Sequence, residues 1–203
     1  MQSFRSKVGL ADYSKVICIT GGGNGADKLN QIAVANVPFL LKKYSDLAII
    51  HIAGRAFLDN INSIYNKKVA PSDRKRVIVK GFVDDLYLYT GAADVIIARG
   101  GATNLAEFAA QGKACIIIPS AQLIWNVKNA HELAKDHAVI NLSEAQAEQE
   151  LRLAHTILEL LDNKKSREDL KKKIVQYYVP DSASKIAALV INFADSKETK
   201  NLK

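Results

Sequence analysis

The sequence predicts an α/β fold: a Rossmann-like, doubly wound parallel sheet of about six strands, with helices gathered toward the C-terminus. Two observations carry this. Short apolar runs rich in Val, Ile and Ala alternate with stretches of helical spacing, and a glycine-rich turn joins the first run directly to the first such stretch.

In chain order the strand candidates are Val16 to Thr20, Leu47 to Ile52, Val77 to Lys80, Asp94 to Ala98, Ala114 to Ile118 and Ala138 to Leu142. Each is rich in Val, Ile or Ala, and together they read as buried parallel strands. Between them, Leu29, Ile32, Ala33, Val37 and Leu40 repeat at helical spacing, and helices are expected at Phe57 to Val69, Thr103 to Gln111 and Trp125 to Lys135. After Leu142 the strands stop. Ser143 is placed to cap one long amphipathic helix, two further helices follow over Ser166 to Tyr177 and Ser182 to Phe193, and Pro180-Asp181-Ser182 marks the start of the last.

Composition bounds the class. At 203 residues, with 48% hydrophobic and 24% charged residues, the chain fits one soluble globular domain with a sizeable core. Residues 15–195 are expected to form it, with 196–203 as a frayed tail. Cys18 and Cys115 lie inside β-branched runs, where cysteine behaves as a small buried hydrophobe. No run approaches the roughly 20 apolar residues needed to span a bilayer, and a cytoplasmic location is expected. The net charge of +7 admits an anionic substrate, an anionic membrane or a solvated basic surface. Nucleic acid is disfavoured because no aromatic residues interleave with the basic runs at Lys164-Lys165-Ser166-Arg167 and Lys171-Lys172-Lys173.

The chemistry sits in two glycine loops. The first, Gly21-Gly22-Gly23-Asn24-Gly25-Ala26, lets backbone approach a phosphate while a helix N-terminus directs N–H groups at it. It also satisfies G-x-G-x-x-A, so NAD enters consideration; the second strand, however, runs into His51-Ile52-Ala53-Gly54-Arg55 without the carboxylate that would hold a ribose. Lys28 is not placed as in a P-loop. The second loop, Arg99-Gly100-Gly101-Ala102-Thr103-Asn104, again joins an apolar strand to a helix. Its amides suit a diphosphate, and Glu107, one turn on, could accept two hydrogen bonds from a ribose diol or simply be a solvated carboxylate.

Three stretches, ITGGGNGADKLN, GFVDDLYLYTGAADVIIARGGATNLAEFAAQGKACIIIP and VPDSASKIAALV, together resemble the C-terminal, donor-binding domain of MurG-type UDP-N-acetylglucosamine transferases, family 28 glycosyltransferases of GT-B fold. The resemblance runs from about Val16 to Ala194. It implies that Gly22, Gly23, Asn24 and Gly25 lie beside the phosphates, and that Val83 presents backbone to the uracil. It further implies that Arg99 to Asn104 wrap the diphosphate and that Glu107 binds the ribose. The family's sugar-binding glutamine pair meets a shorter stretch here, Gln122 to Asn129. Asn126 is the nearest amide to that pair, and Asn129 with Ala130 matches an Asn-Ala that follows it.

The resemblance implies inverting transfer of GlcNAc from UDP-GlcNAc to lipid-linked undecaprenyl-diphosphate-MurNAc-pentapeptide, in peptidoglycan synthesis at the inner face of the cell membrane. It implies no bound cofactor or metal; Asp84 and Asp85, as strand-end neighbours, would point apart. The catalytic base and the acceptor-binding loop belong to an N-terminal half that this chain would need as a missing domain or partner subunit, with residues 1–14 as a remnant of the connection. Split transferases exist, as in dolichol-linked chitobiose synthesis, whose donor subunit carries a string like Glu132-Leu133-Ala134. No catalytic role falls to His131 or His137. Two alternatives stay open: the donor domain of a UDP-glucose or UDP-galactose glycolipid synthase, and a non-enzymatic module binding UDP-sugar or NAD.

Overall fold

The computed structural model describes residues 2–198, with side chains described for residues 3–194. Six parallel strands, β1 (Lys15–Thr20), β2 (Leu47–Ile52), β3 (Val77–Lys80), β4 (Val95–Ala98), β5 (Ala114–Ile117) and β6 (Ile140–Asn141), form one sheet in the order β3-β2-β1-β4-β5-β6. The order reverses between β1 and β4, so the chain winds outward in both directions from that pair, as the strand and helix alternation predicts. Alternate residues of each strand feed two cores. Ile17, Ile19, Ile49 and Ile97 face one, packed by α2 (Asp27–Lys43), α3 (Leu58–Lys68) and α8 (Arg152–Asp162). Val16, Cys18, Ile50 and Ile96 face the other, packed by α5 (Ala102–Gln111) and α6 (Ile124–Lys135).

Both cysteines are free and buried in the second core, and burial pushes the Cys18 thiol up to about 12. They act as the small hydrophobes their flanking residues suggest.

Two short helices arise that hydrophobic spacing did not announce, α1 (Gln2–Lys7) and α4 (Leu86–Ala92). They dock on each other. Arg5 reaches from α1 to the Ala92 carbonyl at 3.1 Å and to Asp94 at 2.7 Å, while Asp94 also accepts the Val16 amide at 2.8 Å. Two buried cations finish helix ends in the same way. Arg76 donates to the Leu41 carbonyl in the last turn of α2 and to the Tyr44 and Leu47 carbonyls just beyond it, and Lys113 to the Gly91 carbonyl in the last turn of α4 and to the Ala93 carbonyl after it.

The single long helix expected after Ser143 is two helices. Ser143 does cap, in a reciprocal box with Gln146, but α7 (Glu144–Ala147) stops after four residues and Leu151 turns left-handed at φ 54°. The break follows from tertiary contacts. Asn36, on α2, accepts the Ala154 amide at 3.0 Å, which caps α8 from outside and fixes where it starts. Next, α9 (Lys164–Ile174) begins two residues earlier than expected, because Asn163 caps the Ser166 amide, and ends in a 3-10 turn over Val175–Tyr177. The last helix, α10 (Ser182–Glu198), starts where Pro180-Asp181-Ser182 places it, and its described side chains are all exposed. Of the expected tail, 196–198 continue this helix and 199–203 lie outside the described residues.

A polar relay is buried on β2. His51 pairs with Tyr65 Oη at 2.9 Å and Asn30 Oδ1 at 3.0 Å, and Asn30 donates to the Ala53 carbonyl at 2.9 Å. Burial lowers the His51 pKa to about 4, so the folded protein keeps it neutral while the unfolded chain protonates it near 6.5. The unfolded state therefore binds the extra proton between these values, and stability falls as pH drops from about 6.5 toward 4, by on the order of 3 kcal/mol. Denaturant titrations at pH 7 and pH 4.5 will show this loss, and His51→Gln will flatten that part of the pH profile.

Candidate functional site

The C-terminal ends of β1 and β4 are neighbours, with Thr20 paired to Ala98, so the loops that leave them start side by side. Each loop enters a helix without a side-chain cap. The N-cap residues are Ala26 for α2 and Gly101 for α5, and no side chain accepts a hydrogen bond from either first turn. First-turn amides have no partner within their own helix, so both ends leave N–H donors and the positive end of a helix dipole available. The loops meet closely enough that a Cβ built on Gly22 would stand 3.9 Å from Asn104 Nδ2.

Between them opens a cleft of about 710 Å³. Gly21, Gly22, Gly25 and Ala26 form one wall, Gly101 to Asn104 another, and Ser120, Gln122, Leu123 and Asn126 close a third side. The first two walls follow the ends of β1 and β4, where the strand order reverses, the position at which open α/β sheets bind ligands; the third follows β5, next in the sheet. Backbone amides dominate because the charged side chains cancel. Asp27, Lys28, Arg99 and Glu144 line the cleft, two of each sign. Arg99 is clamped by Glu144 at 2.7 Å and the Ile118 carbonyl at 2.9 Å; Lys28 pairs with Glu148 at 2.7 Å, and that hydrogen bond raises its pKa.

Two glycines set the walls. Gly25 has φ 75°, and a Cβ there would lie 2.1 Å from the Ala53 carbonyl oxygen, because this loop rests backbone to backbone on the end of β2. Gly100 is buried behind the cleft, where a Cβ would meet the Asn126 carbonyl oxygen at 2.3 Å; α6 packs directly on it. Asn129 completes that contact by donating to the Gly100 carbonyl at 2.9 Å.

Of the residues singled out in the sequence, Gly22, Gly25, Arg99, Gly101, Ala102, Thr103, Asn104 and Asn126 line the cleft. Gly23 and Asn24 are exposed at the loop tip beside it, and Val83 is half-buried against the second core at the start of the β3 to α4 loop. Gly100 and Asn129 stand behind the wall and hold it. Glu107, half-buried on α5, lies one turn beyond the amides rather than among the residues lining the cleft.

Other residues at the site were not singled out. Phe82, partly exposed, comes within 3.5 Å of a Cβ built on Gly23, and the Arg55 guanidinium covers its ring at 3.7 Å. Lys28, Ser120, Gln122 and Glu144 also reach the cleft. For Phe82 a signal existed, an aromatic residue just past a strand end. Glu144 had none, because its place depends on where β6 ends.

The two loop types predict opposite outcomes for one substitution. Gly25→Ala combines positive φ with a backbone collision and is expected to cost more than about 1 kcal/mol of stability. Gly101→Ala has φ −70° and meets nothing within 4 Å, so its melting temperature should barely move while its methyl group occupies cleft space. Thermal melts of the two variants check this directly.

The chain is similar to known proteins across nearly its whole length. The model of the glycosyltransferase family 28 C-terminal domain matches residues 16–186. The UDP-N-acetylglucosamine--N-acetylmuramyl-(pentapeptide) pyrophosphoryl-undecaprenol N-acetylglucosamine transferase of Flavobacterium psychrophilum is 29% identical over 187 residues, 91% of this chain and 48% of that protein. Its counterpart in Bacteroides fragilis is 30% identical, over 95% of this chain and 50% of that protein. The chain thus spans about half the length of the curated relatives it matches. Among solved structures, Acinetobacter baumannii MurG superposes with a TM-score of 0.70 at 24% identity, over 90% of this chain and 53% of that one. A Staphylococcus aureus MnaA–UDP structure gives 0.72 at 15% identity, over 95% and 48%, and confirms the fold alone. With the family model covering most of the residues and the sheet, switch point and glycine loops in place, this chain belongs to glycosyltransferase family 28, as its C-terminal domain.

Proposed function

We propose that this domain is the donor-binding half of an inverting glycosyltransferase that moves GlcNAc from UDP-GlcNAc to a lipid-linked MurNAc-pentapeptide acceptor. The observation that carries the reading is the convergence of two uncapped helix N-termini, α2 and α5, on one cleft at the switch point. A diphosphate is the anion such a pair suits. It accepts many hydrogen bonds, and backbone amides satisfy it without the desolvation that two free cations would require. The curated relatives, which are named for this transfer, support the choice of donor and acceptor.

In this reading the amides of Gly23, Asn24 and Ala26 to Lys28, with those of Gly101 to Asn104, hold the diphosphate, while the Gly22 amide, donating to Thr20 Oγ1, and the Gly25 amide, donating to the Gly22 carbonyl, shape the loop; Arg99 adds a guanidinium oriented by Glu144. Val83 offers backbone to the uracil beside Phe82, and Glu107 accepts from the ribose hydroxyls. As the glycosidic bond breaks, negative charge grows on the leaving UDP, and donors already aimed at the diphosphate stabilise the transition state more than the ground state. No metal is required for that step. The base that takes the acceptor proton comes from residues equivalent to the other half of the relatives, and these 203 residues alone bind donor without turning it over. A lipid-linked acceptor sets the work at a membrane surface; no helix among the described residues is long and apolar enough to cross one.

The stretch Gln122 to Asn129 is shorter than the family's around its glutamine pair, and this altered segment keeps a hexose donor, as in glycolipid synthases, as a second reading. Asn126 lines the cleft and is the amide proposed to meet the sugar. Titration with UDP-GlcNAc and UDP-glucose separates the readings by which sugar binds more tightly than UDP itself.

Calorimetric titration with UDP tests the site. Glu107→Ala should weaken UDP by about 10- to 100-fold, the loss of hydrogen bonds to a charged acceptor, without changing the melting temperature. EDTA should leave the affinity unchanged. Unaltered affinity in Glu107→Ala would remove Glu107 from the site, and binding of NAD in place of UDP would remove the donor reading.

A further inference from the structure

The two ion pairs at the cleft are held by one short element. Glu144 opens α7 and Glu148 directly follows its last residue, so the two carboxylates stand one turn apart on the same side. Each reaches a different glycine loop. Glu144 pairs with Arg99, which opens the second loop, and Glu148 with Lys28, which follows the first. The α7 turn therefore sets a carboxylate against each of Arg99 and Lys28, the cations that line the cleft. The four charges also act on one another: the Glu148 hydrogen bond chiefly raises the Lys28 pKa, Glu144 adds to that, and Arg99 opposes it.

The pairs differ in kind. The Arg99 side chain is 10% exposed, and its guanidinium is held by both Glu144 and the Ile118 carbonyl. The Lys28 side chain is 48% exposed and its partner's 47%. An exposed pair of that kind contributes little, because it holds two long side chains in one geometry against water, and a lysine ammonium swings freely on its stem. Lys28 is also the second residue of α2, where a cation opposes the helix dipole. An anion bound by the α2 amides stands at the same turn and removes that opposition.

We propose that the Lys28 ammonium exchanges Glu148 for the terminal phosphate of UDP as the glycosidic bond breaks, so that α7 holds this cation for the leaving group. The proposal rests on the donor reading above. In the donor, the second phosphate is esterified to the sugar and carries a single negative charge. When the bond between the anomeric carbon and the phosphate oxygen breaks, the electron pair stays on that oxygen. The anomeric carbon bonds instead to the acceptor oxygen, whose proton passes to the base supplied by the other half. The freed terminal phosphate then carries about two negative charges at neutral pH. Against a singly charged phosphate already satisfied by amides, the Glu148 carboxylate at 2.7 Å keeps the ammonium; against a doubly charged one it loses it. A cation that moves only then favours the transition state over the bound donor, which is the condition for raising rate and not affinity alone.

Calorimetric titration of the 203-residue chain with UDP and with UDP-GlcNAc tests the exchange. Lys28→Gln should weaken UDP by on the order of tenfold and UDP-GlcNAc by less than about threefold. Glu148→Gln, which releases the ammonium, should tighten UDP by about threefold, and this gain should vanish in a chain that already carries Lys28→Gln. Both side chains are half exposed, so the melting temperature should hold in each variant. Equal weakening of the two ligands by Lys28→Gln, or no weakening of either, overturns the exchange. So does a Glu148→Gln gain of the same size with and without Lys28, since that is the field of a removed carboxylate acting on any anion. Failure of the unmodified chain to bind either ligand removes the donor reading and this assignment with it, whereas binding of both without the predicted difference removes this assignment alone.

Discussion

The site depends on the pairing of β1 with β4. Residues 17–20 lie in parallel register against 95–98, so two strands far apart in sequence end together, and each releases a glycine loop and a helix N-terminus at the same level. Everything that suits the cleft to an anion follows from that adjacency. A single uncapped helix end is common; two that face one cleft concentrate the partial charge of both dipoles on one volume. The remaining elements brace the pair. The Gly25 loop rests on the end of β2, and Gly100 is held by α6 through the Asn129 amide.

The electrostatics show a division of labour. Side-chain charges around the cleft are tied to one another, Arg99 to Glu144 and Lys28 to Glu148, which leaves the backbone as the unspent source of positive potential. Amides are fixed by the fold and need no reorganisation as charge develops on a leaving group. The Arg99 and Glu144 pair also links the cleft to the break between α7 and α8. Glu144 is the first residue of α7, and the start of α8 is fixed independently by Asn36.

Much of this was legible in the sequence, for physical reasons that differ by element. Strands buried on both faces are largely apolar, so β1, β2, β4 and β5 were read to within a residue; of the two edge strands, the half-buried β3 was read as it stands and the short β6 three residues too long. The glycine loops were legible because tight turns and close backbone approach admit few other residues. The break at Leu151 was not, since nothing in 143–161 opposes one continuous helix; the decision belongs to an asparagine more than a hundred residues away. Glu144 escaped for the same reason, being brought to the cleft by packing and not by spacing; Lys28 directly follows the first loop and was weighed only against the P-loop pattern. Phe82 was visible as a residue but not as a neighbour of Gly23. Family resemblance named Glu107 as a ribose ligand; the structure places it beyond the amide-lined wall, so its role rests on how a bound nucleoside extends past Asn104.

The most direct measurement of the central claim is amide NMR of the isotopically labelled chain during titration with UDP and, separately, with inorganic pyrophosphate. If two helix N-termini share one diphosphate, both ligands will shift the amides of Gly22 to Lys28 and of Gly101 to Asn104 together, along a single saturation curve. UDP alone will add shifts around Phe82 and Val83. Shifts confined to one loop, or saturating at different concentrations in the two, would contradict a shared site.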